Sequence, residues 1–196
     1  MNAPQPTATT FFRGYSRRLQ EVMQGSDWGQ VAQLAEELLE CWKSGRQVFL
    51  CGNGGSAANA MHLANDFLYG ISKTLGSGLR VTALPANASV LTCLANDEGY
   101  EHIFSAQLAV QGRKDDVLIV LSGSGNSPNI VKALEQARQM GVRSYAILGY
   151  QGGKAKTIAD VPIHFEVQDM QLAEDLQLIV GHMVMQFLCA HRPQRA

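Results

Sequence analysis

Charge of one sign, cysteine and long apolar runs are what this sequence has little of, and each shortage excludes a class of protein. Sixteen Lys and Arg against 17 Asp and Glu leave a formal net charge of −1 at pH 7. Nothing in that balance points to nucleic acid or to an anionic membrane surface. No apolar run approaches the roughly 18 residues of a membrane-spanning helix, so no membrane partner is expected. The opening MNAPQPTATTFFRGY lacks the basic-then-apolar order of a secretory signal, and a cytoplasmic chain is expected. The 4 cysteines, at 41, 51, 93 and 189, form no CxxC pair. That argues against a zinc ribbon or a disulfide framework and for separate, reduced, mostly buried thiols.

What is present suffices for a core. With 46% hydrophobic and 17% charged residues over 196 positions, one domain is expected over residues 11–196. Residues 1–10, with prolines at 4 and 6 and no large apolar side chain after Met1, read as a flexible tail. A first helix is predicted over 11–24. Ser26 reads as the N-cap of a second, whose stripe of Trp28, Val31, Leu34, Ala35, Leu38, Leu39 and Trp42 runs to Gly45 at helical spacing.

Beyond Gln47 the pattern alternates. Strands are predicted over 47–50, 80–84, 116–121, 144–148 and 163–166, and helices over 56–69, 88–95, 100–112, 128–140 and 172–190. Alternating strands and helices argue for an α/β fold, a three-layer αβα sandwich around a parallel sheet. The stretch DVLIVL, an unbroken apolar run, suits a strand covered on both faces.

Two segments share one plan of buried strand, Gly/Ser loop and helix: VFLCGNGGSAANAM and LIVLSGSGNSPNIV. In a parallel sheet both loops lie at strand carboxyl ends, where ligands bind at a switch in strand order. Glycines bring backbone N–H groups close to an anion, and the following helix N-terminus adds partial positive charge. The hydroxyls of Ser56, Ser122, Ser124 and Ser127 add donors. A phosphate suits both loops, although either could be only a strand-to-helix turn. A Walker loop is excluded, because GNGGSAAN contains no lysine. The dinucleotide fingerprint is matched formally by Gly52 to Ala57, but the second strand ends VTALPANAS with no acid for a ribose.

The segments CGNGGSAANAMH, LANDEGYEHIF and LSGSGNSPNIVKA, in this order and with these gaps, resemble the sugar isomerase (SIS) domain. Within it they are most similar to the phosphoheptose isomerases, which act on sedoheptulose 7-phosphate. The resemblance spans about residues 11–190. It implies a flavodoxin-like sandwich and a homotetramer with active sites at subunit contacts. It also implies a sugar-phosphate site formed by Asn53, Gly54, Gly55, Asn96, Asp97, Ser122, Gly123, Ser124 and Ser127, which the loop chemistry extends to Ser56.

His62 and Asp66 stand four apart and share a helix face. Imidazole with carboxylate suits zinc, but also a plain surface hydrogen bond. The resemblance implies zinc ligands at 62, 66, 174 and 182, here His62, Asp66, Glu174 and His182. Asp66 stands where the family has glutamate and Glu174 where it usually has glutamine. Glu174 is implied in substrate binding as well. The family's arginine after this helix is replaced by Gly70, and its acid near 171 by Gln171. Eight residues of helix rise about 12 Å, so Glu174 and His182 of one chain cannot both reach one ion directly.

The expected activity is aldose–ketose isomerisation of a seven-carbon sugar phosphate through an enediol, with Asp66 and His182 as candidate base and acid and zinc as cofactor. The rivals are an isomerase of another sugar phosphate and a non-catalytic tetrameric scaffold like the DnaA initiator-associating protein, which resembles the same family.

Overall fold

A computed structural model of the protein describes residues 7–73 and 77–193. Its element order is α1 (Ala8–Gly25), α2 (Gly29–Ser44), β1 (Gln47–Gly52), α3 (Gly55–Leu68), β2 (Arg80–Ala83), α4 (Ala88–Asp97), α5 (Ser105–Gln111), β3 (Val117–Ser122), α6 (Pro128–Met140), β4 (Arg143–Leu148), α7 (Ala155–Ile158), β5 (Val161–His164) and α8 (Met170–Ala190). The expected αβα sandwich is what forms. All five strands are parallel, in the order β2-β1-β3-β4-β5. Order reverses between β1 and β3, the switch point of a flavodoxin-like sheet.

Side chains of the central strands alternate between two cores, because a strand's period is two. Val48, Leu50, Val117, Ile119, Leu121, Tyr145 and Ile147 face the layer that includes α2, α3 and α8. Phe49, Cys51, Leu118, Val120, Ala146 and Leu148 face the layer of α5 and α6. Both faces are therefore dry, which explains the unbroken apolar runs. The predicted stripe of α2 points inward: Val31, Leu34, Ala35 and Leu38 are buried, and Trp28, Leu39 and Trp42 pack beside them.

Four expectations need correction. Part of the tail expected over residues 1–10 is helix: Thr7 caps α1 by accepting from the Thr10 amide at 3.3 Å, while residues 1–6 lie outside the described residues. Ser26 closes α1 instead of opening α2, since its hydroxyl donates to the Val22 carbonyl at 2.7 Å. Asp27 then accepts from the Gly29 amide at 2.9 Å. The helix expected over 100–112 splits, with a 3₁₀ turn at Tyr100–His102 ahead of α5. Ile103 and Phe104, buried at the break, anchor it to the core. The last strand lies two residues earlier than expected, because β5 is an edge and tolerates Pro162 without losing a ladder bond.

Among the described residues, no helix is long and apolar enough to cross a membrane.

Candidate functional site

The loops after β1 and β3 stand side by side, since those strands are hydrogen-bonded neighbours. Between them is a cleft of about 250 Å3. One wall is Asn53, Gly54, Gly55 and Ser56, and the opposite wall is Ser122, Gly123, Ser124 and Ser127. Met170 and Glu174, from the first turns of α8, close the third side. A Cβ at Gly55 would overlap the Glu174 carboxylate, so only glycine lets this acid lie against the amino end of α3. There the helix's partial positive charge favours it.

Each loop is held in shape by its own polar groups. Ser122, which is buried, accepts from the Gly125 amide at 3.0 Å, and Ser124 accepts from the Asn126 amide at 3.3 Å. Ser127 begins α6 ahead of Pro128 but makes no side-chain cap bond, which leaves its hydroxyl for the cleft. Ser56 is buried and accepts from Gln177 Nε2 at 3.0 Å. Gln177 Oε1 in turn accepts from Asn59 at 3.0 Å, which ties α3 to α8. Asn53 and Asn129 exchange two amide hydrogen bonds, at 2.9 and 2.8 Å, and the Tyr100 hydroxyl donates to Asn53 Oδ1 at 3.2 Å.

Two residues expected at this site do not line the cleft. Asn96 and Asp97 end α4 on the exposed surface, where Asn96 donates to Asp97 at 2.7 Å and the Cys93 thiol donates to it at 3.3 Å. The Asn96 amide, with help from Cys93, holds the Asp97 carboxyl below its ordinary range. From the segment after α4, Tyr100 touches the cleft wall through its hydrogen bond to Asn53.

A second cluster lies farther along the α3–α8 contact. His62 Nε2 and His182 Nε2 are 3.0 Å apart, and Asp66 Oδ2 lies 3.5 Å from the first and 3.6 Å from the second. The His62 and His182 side chains are about half exposed, at 49% and 46%, whereas Asp66 is 14% exposed. The meeting depends on Gly181. A Cβ there would overlap the Leu63 side chain, so glycine allows the close approach that sets the adjacent His182 beside His62. These three are the His/Asp group among the described residues whose donor atoms converge closely enough for a metal. Their separations approximate the spacing of about 3.3 Å that donors 2.0–2.1 Å from a tetrahedral zinc require. Three protein donors leave a fourth position of a tetrahedral site to be filled.

Glu174 is not part of this group, because it lies in the cleft about 12 Å of helix rise before His182. Gly70 stands close to Asp66: a Cβ there would lie 3.6 Å from Asp66 Oδ1 and 2.7 Å from the Met185 methyl. No cation flanks the carboxylate from that position.

Sequence reasoning did not single out Asn129, Tyr100, Asn59 or Gln177. Asn129 and Gln177 are buried at 1% exposure, and a polar side chain inside a helix gives no periodic signal of being buried. Only its partner, 76 residues away for Asn129, reveals the role.

A match to the SIS domain family covers residues 10–149. The phosphoheptose isomerase of Akkermansia muciniphila is 42% identical over 156 residues, 80% of this chain and 82% of that protein. That of Rhodospirillum rubrum is 40% identical over 154 residues, 79% of this chain and 81% of that one. Among solved structures, phosphoheptose isomerase GmhA from Neisseria gonorrhoeae superposes with a TM-score of 0.84 at 30% identity, covering 93% of this chain and 96% of that one. A phosphoheptose isomerase from Francisella tularensis shares the fold with a TM-score of 0.85 at 23% identity, covering 95% of this chain and 100% of that one.

Proposed function

The chain belongs to the SIS-domain family, among its phosphoheptose isomerases, and from that premise we infer that it is an aldose–ketose isomerase acting on sedoheptulose 7-phosphate. The observation that carries the reading is the pairing of two centres on one α3–α8 contact. At one end is a glycine/serine cleft suited to phosphate, and at the other a His62–Asp66–His182 cluster suited to proton transfer.

Their spacing fits the substrate. From Gly55 to His62 is seven residues of helix, a rise of about 10 Å. Eight bonds separate C1 of the sugar from phosphorus. At about 1.2 Å advance per bond in an extended chain, that is again about 10 Å. Phosphate in the cleft sets C1 and C2 beside the cluster. In the direction from ketose to aldose, a proton leaves C1 as the C2 oxygen gains one, giving the enediol. The O1 proton then leaves while C2 is protonated, which yields the aldehyde at C1. We assign these proton transfers to Asp66 and His182, each acting from the heteroatom outside the converging cluster, Asp66 Oδ1 and His182 Nδ1.

His62, Asp66 and His182 are the residues that would hold zinc, with Glu174 of a neighbouring copy as a fourth donor. When bound, the ion supplies Lewis-acid polarisation of the carbonyl and hydroxyl oxygens. A homotetramer belongs to the same reading. The helices that carry the half-exposed imidazoles also leave Met61, Leu68, Tyr69 and Met183 exposed on or beside them, apolar surface that a second copy would cover. So does a cytoplasmic location, which the four free cysteines support. The scaffold rival is not favoured, since the relatives carry the enzyme's name and the His/Asp cluster is assembled.

The test is an assay of purified protein against a panel of ketose phosphates, with and without added zinc. Turnover of sedoheptulose 7-phosphate above the shorter sugars, reduced by chelation and restored by zinc, is expected. No turnover of any sugar phosphate in either condition would overturn the reading.

A further inference from the structure

Asn53 is the one carboxamide in the wall of the cleft, and its hydrogen bonds account for nearly all its capacity. A carboxamide has two acceptor sites on oxygen and two N–H donors. Both acceptor sites of Oδ1 are taken, one by Asn129 Nδ2 at 2.8 Å and one by the Tyr100 hydroxyl at 3.2 Å. One donor of Nδ2 goes to Asn129 Oδ1 at 2.9 Å. A single N–H remains, on a side chain that lines the cleft.

We propose that Asn129 and Tyr100 are positioning residues that hold the Asn53 amide with one N–H presented to the substrate phosphate and no acceptor facing it. Asn129 suits this role because it is buried, at 1% exposure, in the first turn of α6 directly after the serine loop. Its pairing with Asn53 links the loop after β1 to the loop after β3 across 76 residues of sequence. The two walls of the cleft are thereby fixed relative to each other before a ligand enters. Preorganised donors of this kind lose little freedom on binding, and a flipped amide would instead point a carbonyl oxygen at an anion. Tyr100 acts from the other side. The residue is 59% exposed, so its hydroxyl is not there to satisfy a buried group.

The proposal rests on the cleft being the phosphate site, and the test separates the two. Tyr100→Phe removes one hydroxyl from an exposed ring, and Asn129→Ala removes the reciprocal pair. Affinity for inorganic phosphate is read by calorimetry, together with kcat and KM for sedoheptulose 7-phosphate and the unfolding temperature. Tyr100→Phe is expected to weaken phosphate binding several-fold at unchanged unfolding temperature. Asn129→Ala is expected to weaken it about tenfold, with KM rising and kcat nearly constant, because the reacting carbons lie at the other end of the sugar. Adding Asn129→Ala to Asn53→Ala should cost no further affinity, since the group being positioned is already gone. Unchanged phosphate affinity in Tyr100→Phe would overturn the proposal. So would losses that multiply in the double variant, the sign of a general effect on folding. Absence of isomerase activity in the unaltered protein would sink the functional reading alone, and the phosphate comparison would still decide the positioning role.

Discussion

At the scale of single residues, the cluster on α3 and α8 makes the sharpest demand. His62 contributes a donor atom but little packing, since its side chain is about half exposed. His62→Ala should abolish bound zinc and isomerase activity while changing stability by no more than about 0.5 kcal/mol. Elemental analysis of protein purified without chelator, beside a thermal melt, checks both. Zinc retained near one per chain would remove His62 from the ligand set. Tyr15 offers a second test at this scale. Its phenol is pushed up to about 12 by burial first and then by donating to Asp175. An unfolded tyrosine ionises near 10.0. The Tyr15 contribution to stability is therefore complete below that pH and is lost as pH rises towards about 12. The stability difference between wild type and Tyr15→Phe, measured by denaturant unfolding, should shrink between pH 9 and pH 11. A constant difference would mean that the phenol titrates as it does in the unfolded chain.

At the scale of elements, α3 and α8 form the scaffold of both centres. Four contacts run along them: Gly55 with Glu174, Asn59 with Gln177, Leu63 with Gly181, and His62 with His182. At Gly181 the Leu63 side chain fills the space that a Cβ would take. Gly181→Ala would force the Leu63 side chain or the helix itself to move, at about 1–3 kcal/mol, the usual range for overpacking a tight core. The unfolding temperature should fall, and zinc affinity should fall with it, because the imidazoles are carried apart. Leu63→Ala combined with Gly181→Ala makes room for the methyl and should recover part of the metal binding. A Gly181→Ala protein with normal stability and normal metal content would show that the approach of the helices is not limiting.

At the scale of the whole molecule, the exposed apolar side chains are distributed unevenly. Phe11 and Phe12 lie uncovered on α1, and Met61, Leu68, Tyr69 and Met183 are exposed on or beside α3 and α8, the helices that carry the His/Asp cluster. Light scattering at micromolar concentration should give four copies. Tyr69→Asp places a charge in that surface and should shift the protein towards smaller species with reduced activity. A monomer in the unaltered protein would remove the shared-site arrangement and leave the cluster open to water.

How much of this was legible beforehand depended on how local the information is. The strand and helix order followed from apolar periodicity, and the loop chemistry from glycines and serines set directly between strand and helix. Both are properties of neighbouring residues. The cap that starts α1 at Thr7 and the edge position that admits Pro162 depend on single hydrogen bonds and on strand order, so the element ends shifted. Sequence by itself determined the α/β class, the pair of anion-suited loops and the kinds of side chain available for proton transfer. Only the tertiary structure made β1 and β3 neighbours and brought His182 to His62 over 120 residues. It alone turned Glu174 into the cleft and paired Asn53 with Asn129. The reason is physical: a residue's own neighbours set its backbone preference, but which distant side chain it meets is decided by how whole faces pack, and here by a glycine small enough to let two helices touch.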